Sequence, residues 1–330
     1  MKTRFWFALL CCSLLVVASG QELFEQRDDG FVRALDDSYL RGLNFLQGKQ
    51  EDSGGWRDSS YGSEPGVMGM AILAFLSRGD DPEFGPYSNA ISRSVQAILK
   101  KQNQETGYIG SSMYNHGFAT LALAEFYGMT NDQRIGPALL KATRLILSAQ
   151  TRNPKGGWRY SPESKDADTT VSGAQMVALF AARNAGIQVP DEAIEKGKIF
   201  ILSCQDDSGG FGYQTSSGAN LPRTAIGSLV LSLARETKTP AYEKSVNYLR
   251  QNAKFGDQGH KFYSLYYTAQ AMFRASPGDW NSWNLENVRR LQSSQLEDGS
   301  WNGNYGNSFA TSSALLSMAL NYRYLPIYER

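Results

Sequence analysis

Residues 295–301 read Gln295-Leu296-Glu297-Asp298-Gly299-Ser300-Trp301, and the pattern recurs along the chain. Other copies run from Gln50 to Gly54-Gly55-Trp56, from Gln102 to Gly107-Tyr108, from Gln150 to Gly156-Gly157-Trp158, and from Gln205 to Gly209-Gly210-Phe211. The longest gap holds a degenerate copy, with Gly259-His260 in place of Gly-aromatic. The chain therefore divides into six units of about fifty residues, each long enough for a helix pair and its connections.

Every unit reads the same way. The helix before the Gln is amphipathic: Ala138, Ala142, Leu145, Ile146 and Ala149 form one stripe, and Ile91, Val95, Ile98 and Leu99 form another. The helix after the loop is apolar or small nearly all round, as in Val67 to Leu76 and Ala225 to Leu231. A helix without a polar face is buried on every side. The first helices thus form an outer ring and the second an inner ring. An open stack would expose its concave wall and end in polar caps. The sixth inner helix, Phe309 to Leu320, is as apolar as the others, which favours closure. The expected fold is all-α, an α/α six-hairpin toroid of about twelve helices in two concentric rings, spanning 21–330 as a single domain.

Composition sets bounds on function. The net charge of +1 gives no reason to expect nucleic acid or an anionic membrane surface as partner. Residues 1–20 read as a secretory signal: Lys2 and Arg4, an apolar run from Phe5 to Val17, then small residues at Ala18-Ser19-Gly20. Cleavage after Gly20 is expected, with lipid attachment at Cys12 as the alternative. The remainder is expected to be exported to the periplasm or beyond, with no membrane span. Cys11 and Cys12 leave with the leader, so Cys204 has no disulfide partner within the chain.

The Gln-x-x-x-Gly-x-Trp of Gln295 to Trp301 resembles the QW repeats of squalene cyclases, shared in looser form by protein prenyltransferase β subunits. The likeness covers 35–330. It is closest to secreted bacterial prenyltransferase/squalene oxidase repeat proteins, through Gly156 to Pro162, Tyr114 to Gly117 and Tyr324 to Tyr328. The resemblance implies a scaffold role for the repeated Gln, Gly and aromatic residues. It also implies a central cavity whose mouth is lined by the starts of the inner helices.

On that reading the wall draws on Tyr61, Glu64, Tyr114, His116, Asp166, Asp168, Thr169, Gln175, Arg223, His260, Tyr263, Tyr267, Tyr305 and Asn307. Asp166-Ala167-Asp168-Thr169-Thr170 resembles the Asp-x-Asp-Asp-Thr acid motif of the cyclases, with Asp168 matching the acid that protonates an alkene. Such an acid needs a protonated carboxyl and neighbours that orient its proton. The capping reading stands beside it, because Asp168 opens an inner helix. Asp168, Asp166, His116 and His260 are the candidate catalytic residues. Glu64, Tyr114, Gln175, Arg223, Tyr263, Tyr267 and Tyr305 are the candidate ligand-binding residues.

The zinc site of the prenyltransferases does not carry over. Cys204 ends an outer helix, and Ser264 stands where the ligand His would be. No metal or cofactor is expected. The leading reading is binding of an apolar or isoprenoid-type small molecule or lipid. Acid-initiated terpenoid cyclisation or isomerisation through Asp168 is the second. A polysaccharide hydrolase or lyase on the same toroid is the third, with carboxylates, His, Tyr and Arg across an aromatic cleft.

Overall fold

The computed structural model describes residues 29–58, 61–255 and 260–329. The leader reading at 1–20 lies outside these residues. Among the described residues, six outer helices alternate with six inner ones. The outer helices are α1 (Asp29–Lys49), α3 (Ser88–Lys101), α5 (Ile135–Thr151), α7 (Asp191–Ser203), α9 (Pro240–Asn252) and α11 (Pro277–Ser294). The inner helices are α2 (Pro65–Leu76), α4 (Met113–Tyr127), α6 (Thr169–Asn184), α8 (Leu221–Leu233), α10 (Lys261–Ala275) and α12 (Asn307–Ala319). Extended pairing among the described residues is limited to three isolated bridges in the loops.

Burial follows the sequence pattern. Every residue of α2 is buried, whereas α3 buries only a stripe that includes Ala90, Ile91, Ser94, Val95 and Ile98. Each inner helix packs on the next, and α12 returns to α2, so the ring is closed. Contacts of α1 with α11 and α12 close the outer layer at the same junction.

The repeated Gln is the clamp between units. Its Nε2 donates both to a glycine carbonyl of its own loop and to a carbonyl in the next outer helix. Gln102 reaches Gly107 (3.1 Å) and Ala138 (2.9 Å), and Gln150 reaches Gly156 (2.8 Å) and Ala193 (2.9 Å). Gln50 and Gln205 do the same with Ala90 and Ala241. Gln295 bonds to the carbonyl of Ser38 at 2.9 Å and thereby joins the sixth unit to the first. Trp56, Trp158 and Trp301 sit in equivalent places, each donating its indole N–H to a carbonyl of its own outer helix: Leu46, Ile146 and Leu291. The loop glycine has to be glycine. Gly299 has φ of 87° and lies so close to α1 that a Cβ would fall 2.3 Å from the Arg41 carbonyl oxygen.

The ring's two ends differ. At the C-terminal ends of the inner helices, a 3-10 turn (Pro326–Tyr328) packs against α6 with Leu325, Ile327 and Tyr328 buried. Arg274, in the last turn of α10, donates to the Ile327 carbonyl at 2.6 Å. At the N-terminal ends the ring opens into a cavity.

Candidate functional site

All six inner helices contribute to this cavity, which holds about 700 Å³. Val67 and Met70 come from α2, Tyr114 and Phe118 from α4, Thr170 from α6, Arg223 from α8, Tyr263 from α10 and Phe309 from α12. Loop residues complete the wall: Tyr61, Glu64, Ser111, Tyr160, Tyr213, His260 and Tyr305. Val67, Met70, Phe118 and Phe309 supply apolar surface. The polar groups are six tyrosines, Glu64, Arg223 and His260, with smaller hydroxyl and amide side chains such as Ser111, Asn115 and Thr170.

The loops that carry Tyr160 and Tyr213 are held by the helix starts. The Met113 N–H donates to the Tyr160 carbonyl, and the Thr169 N–H to the Tyr213 carbonyl, each at 2.8 Å. These are donors that the first turn of a helix leaves without an internal partner. The two phenol oxygens lie 2.5 Å apart. Arg159 lies against both rings, at 5.2 Å from Tyr160 and 5.5 Å from Tyr213, and Arg223 sits 5.1 Å from the Tyr213 ring. Cations placed on phenol faces are attracted by the ring quadrupole.

Across the mouth, His260 stacks on Tyr305 at 5.5 Å, with Nδ1 2.9 Å from the Tyr305 hydroxyl. Tyr61 meets Tyr305 edge-on at 5.9 Å. Glu64 accepts from Ser111 Oγ at 3.0 Å and from Asn115 Nδ2 at 2.5 Å, while Asn115 Oδ1 accepts from the Gly66 N–H. Asn115 thus ties the Glu64 carboxylate to the start of α2.

Asp168 caps α6 and is fully buried. Its Oδ1 accepts from the N–H groups of Thr170 (2.9 Å) and Val171 (2.8 Å) and from Thr170 Oγ1 (2.6 Å). Its Oδ2 lies 3.5 Å from Arg159 Nε and accepts no hydrogen bond. Burial raises the pKa of its carboxyl from the ordinary aspartate value, against the pull of these donors and of Arg159. The Tyr114 hydroxyl donates to Thr170 Oγ1. A hydrogen-bonded line therefore runs from the cavity wall through Tyr114 and Thr170 to Asp168.

Of the sequence-derived candidates, the structure brings Tyr61, Glu64, Tyr114, Arg223, His260, Tyr263 and Tyr305 to the cavity. Asp168 stands one residue behind the wall, not in it. Thr169, which donates to the Gly212 carbonyl, and Asn307, which donates to Ser300 Oγ, do not line it either. Four further candidates lie elsewhere. His116 follows Tyr114 by two residues, which turns it to the opposite side of α4. There it is fully buried: Nδ1 accepts from the Ile109 N–H at 3.1 Å, and Nε2 donates to the Ala142 carbonyl at 3.0 Å. Burial lowers its pKa to about 4. Gln175 spends its Nε2 on the Met113 carbonyl at 2.8 Å, pinning α6 to the start of α4. Tyr267 shares the Tyr263 face but lies a turn deeper, its ring 4.9 Å away beneath the cavity. Asp166 is on the outside, ion-paired to Arg159 and accepting from Gln214.

The sequence reading missed Tyr160, Tyr213, Thr170 and Asn115. The tyrosines had a signal: each stands two residues after a loop aromatic, in Trp158-Arg159-Tyr160 and Phe211-Gly212-Tyr213. Among the described residues, no group of three His, Cys, Asp or Glu is placed to hold a metal ion.

Residues 41–328 match the family model described as "Domain of unknown function (DUF6288)". The chain belongs to this family. DUF6288, as seen in this chain, is a terpenoid cyclase-like α/α toroid. A squalene–hopene cyclase of Bradyrhizobium diazoefficiens is 23% identical over 222 residues, which cover 60% of this chain and 33% of that enzyme. The match thus spans about a third of the curated relative's length. A variant of the type II terpene cyclase MstE from Scytonema, in complex with geranylgeranyl dihydroxybenzoate, superposes with a TM-score of 0.61 at 14% identity, covering 90% of this chain and 99% of that one. A family 76 glycoside hydrolase from a bovine Bacteroides thetaiotaomicron strain gives 0.68 at 9% identity, covering 88% and 78%. At these identities the structural likeness is one of fold.

Proposed function

We propose that this DUF6288 chain binds a small amphiphile with an isoprenoid-type tail and a polar head. One observation carries the reading: the cavity is apolar at Val67, Met70, Phe118 and Phe309 and hydroxylated at its tyrosine wall. Concave apolar sites with a few convergent polar groups are the usual form of a small-molecule site. The head would meet Glu64, Arg223 and the tyrosine hydroxyls. The Scytonema cyclase, with its geranylgeranyl dihydroxybenzoate, supports this division of tail and aromatic head on the same fold. Export by residues 1–20 belongs to this proposal, as does a ligand met outside the cytoplasm.

A second reading rests on Asp168. In acid-initiated isomerisation the carboxyl does not line the cavity itself, so protonated Asp168 would have to donate to Thr170 Oγ1, Thr170 to the Tyr114 oxygen and Tyr114 to the alkene, with both hydroxyls turned round from the donor directions described above. Burial keeps more of the carboxyl protonated than in an exposed aspartate. The polysaccharide reading has less support. Retaining and inverting glycosidases use two carboxyl groups flanking the bond. Among the described residues Glu64 is the one carboxylate lining the cavity.

Native mass spectrometry of the purified chain with geranylgeraniol and, separately, with an α-1,6-mannotetraose tests the choice. A one-to-one complex with geranylgeraniol and none with the sugar is expected. A complex with the sugar alone would overturn the proposal.

A further inference from the structure

One junction of the ring is built differently. At five junctions a Gln bonds to the carbonyl of a small residue in the next outer helix: Ala90, Ala138, Ala193, Ala241 or Ser38. Each of those small residues stands twelve positions before the next unit's own Gln, or before Ala253 in the fifth unit. By this register the fifth unit has Ala253 in place of Gln, and its partner position in α11 is Trp283. The clamp is thus lost on both sides at once, and a second cavity of about 360 Å³ opens between the end of α9, the start of α10 and α11.

We infer that this cavity is a second ligand site, for a small hydroxylated organic anion of the sugar-phosphate or sugar-acid class. Lys254, Lys261 and Arg290 line it. Arg290 is offset by Glu286 at 2.5 Å, so among the described lining residues the two lysines leave a net positive charge. Phe255 and Trp283, stacked at 5.4 Å, form its aromatic wall. Two further lining residues point to a ligand. Thr268 is 2% exposed and Asn287 0%. Among the described residues, Thr268 Oγ1 and Asn287 Oδ1 have no hydrogen-bond partner. Asn287 holds its amide in place by donating Nδ2 to Ser317 Oγ at 3.2 Å. A buried hydroxyl and a buried carbonyl oxygen without partners are costly. A ligand hydroxyl satisfies both kinds of group, since it donates and accepts, and an anion complements the lysines. This site is independent of the mouth cavity and of the ligand proposed there.

Isothermal titration at fixed ionic strength tests the inference, with glucose 6-phosphate, gluconate and uncharged glucose as probes. Saturable one-to-one binding of at least one anion is expected, with none for glucose, and the anion that binds identifies the head group. Lys254→Gln with Lys261→Gln, both at exposed positions, should weaken that binding at least about tenfold. Thr268→Val, which removes an unpaired hydroxyl at constant shape, should weaken it by a similar factor while leaving the melting temperature unchanged or raised. Failure of both anions to bind, glucose binding as tightly as either, or wild-type affinity in either variant would overturn the assignment. Geranylgeraniol binding at the mouth is expected to be the same in all of these proteins.

Discussion

The two ends of the inner ring are made from the same six helices and finished in opposite ways. At the C-terminal end, Leu325, Ile327 and Tyr328 fill the space, and Arg274 and Glu125 take up their backbone groups. At the N-terminal end, the loops stand back and leave tyrosines, Glu64 and Arg223 around a cavity. The difference teaches where sequence constraint lies. The closed end is a packing problem, and the open end is a chemical surface. Substitutions should separate the two, altering stability at one end and binding at the other.

The largest stability effect is expected from removing residues 325–330. Three buried side chains are lost, at roughly 1.5–3 kcal/mol each for a fully buried apolar group. Urea unfolding should show a loss on the order of 5 kcal/mol. A truncated chain as stable as the full one would mean that the closed end is not part of the core.

The clamps between units come next. Gln150→Ala removes two hydrogen bonds and takes from the Gly156 carbonyl its Gln150 donor, which should cost about 2 kcal/mol. Ala253, at the junction that lacks the clamp, should accept Gly or Ser with a much smaller change. Equal losses at 150 and 253 would contradict the register of the six units.

Stability against pH gives the two regions opposite slopes. Burial pushes the Glu125 carboxyl up to about 8, so the folded chain holds a proton that the unfolded chain releases near 4.5. Stability therefore falls as pH rises between those values, and Glu125→Gln should flatten that limb. His116 is held neutral down to about 4, against 6.5 when exposed. A proton on Nδ1 would face the Ile109 N–H that this atom now accepts. Stability therefore falls as pH drops from about 6.5 towards 4, and His116→Gln should flatten that limb. The two windows overlap between about 4.5 and 6.5, where the opposing terms cancel, so thermal melts across pH read each limb as the difference between the wild type and its own variant. A difference of the opposite sign for either variant would contradict the burial argument.

The smallest effect belongs to Asp168. Asn caps a helix nearly as well as Asp, so Asp168→Asn should change stability little, while Asp168→Ala should cost about 1 kcal/mol. If a turnover is found, Asp168→Asn should abolish it on the acid reading and preserve it if Asp168 only caps. Equal losses of stability in Asp168→Asn and Asp168→Ala, both of which remove the charge, would instead assign the ion pair with Arg159 the main role.

The ring was legible because its signals are redundant. The Gln-to-aromatic spacing recurs, and α2, α4, α6, α8 and α12 read as apolar or small without a polar stripe. The candidate site was legible in part. Positions at the starts of inner helices came through, as with Tyr114, Arg223 and Tyr263. Which side of a helix start faces the ring centre did not, and His116 was assigned to the cavity for that reason. Depth was equally hidden: Tyr263 and Tyr267 share one face, and only the first reaches the opening. Tyr160 and Tyr213 lie in loops, where no helical period tells which residue points inward. Asp168 carried a motif whose two readings, cap and acid, begin from the same position. The structure shows the cap and sets Thr170 and Tyr114 between the carboxyl and the cavity.

The account's central claim is that the open end is an amphiphile site. Its most direct measurement is the affinity of geranylgeraniol for the wild-type chain, for Val67→Trp, which fills the apolar part of the cavity, and for Glu125→Gln at the closed end. The account predicts saturable one-to-one binding to the wild type, a loss of at least about tenfold in Val67→Trp, and no change in Glu125→Gln. Absence of binding to the wild type, or equal affinity in Val67→Trp with its fold intact by circular dichroism, would contradict it.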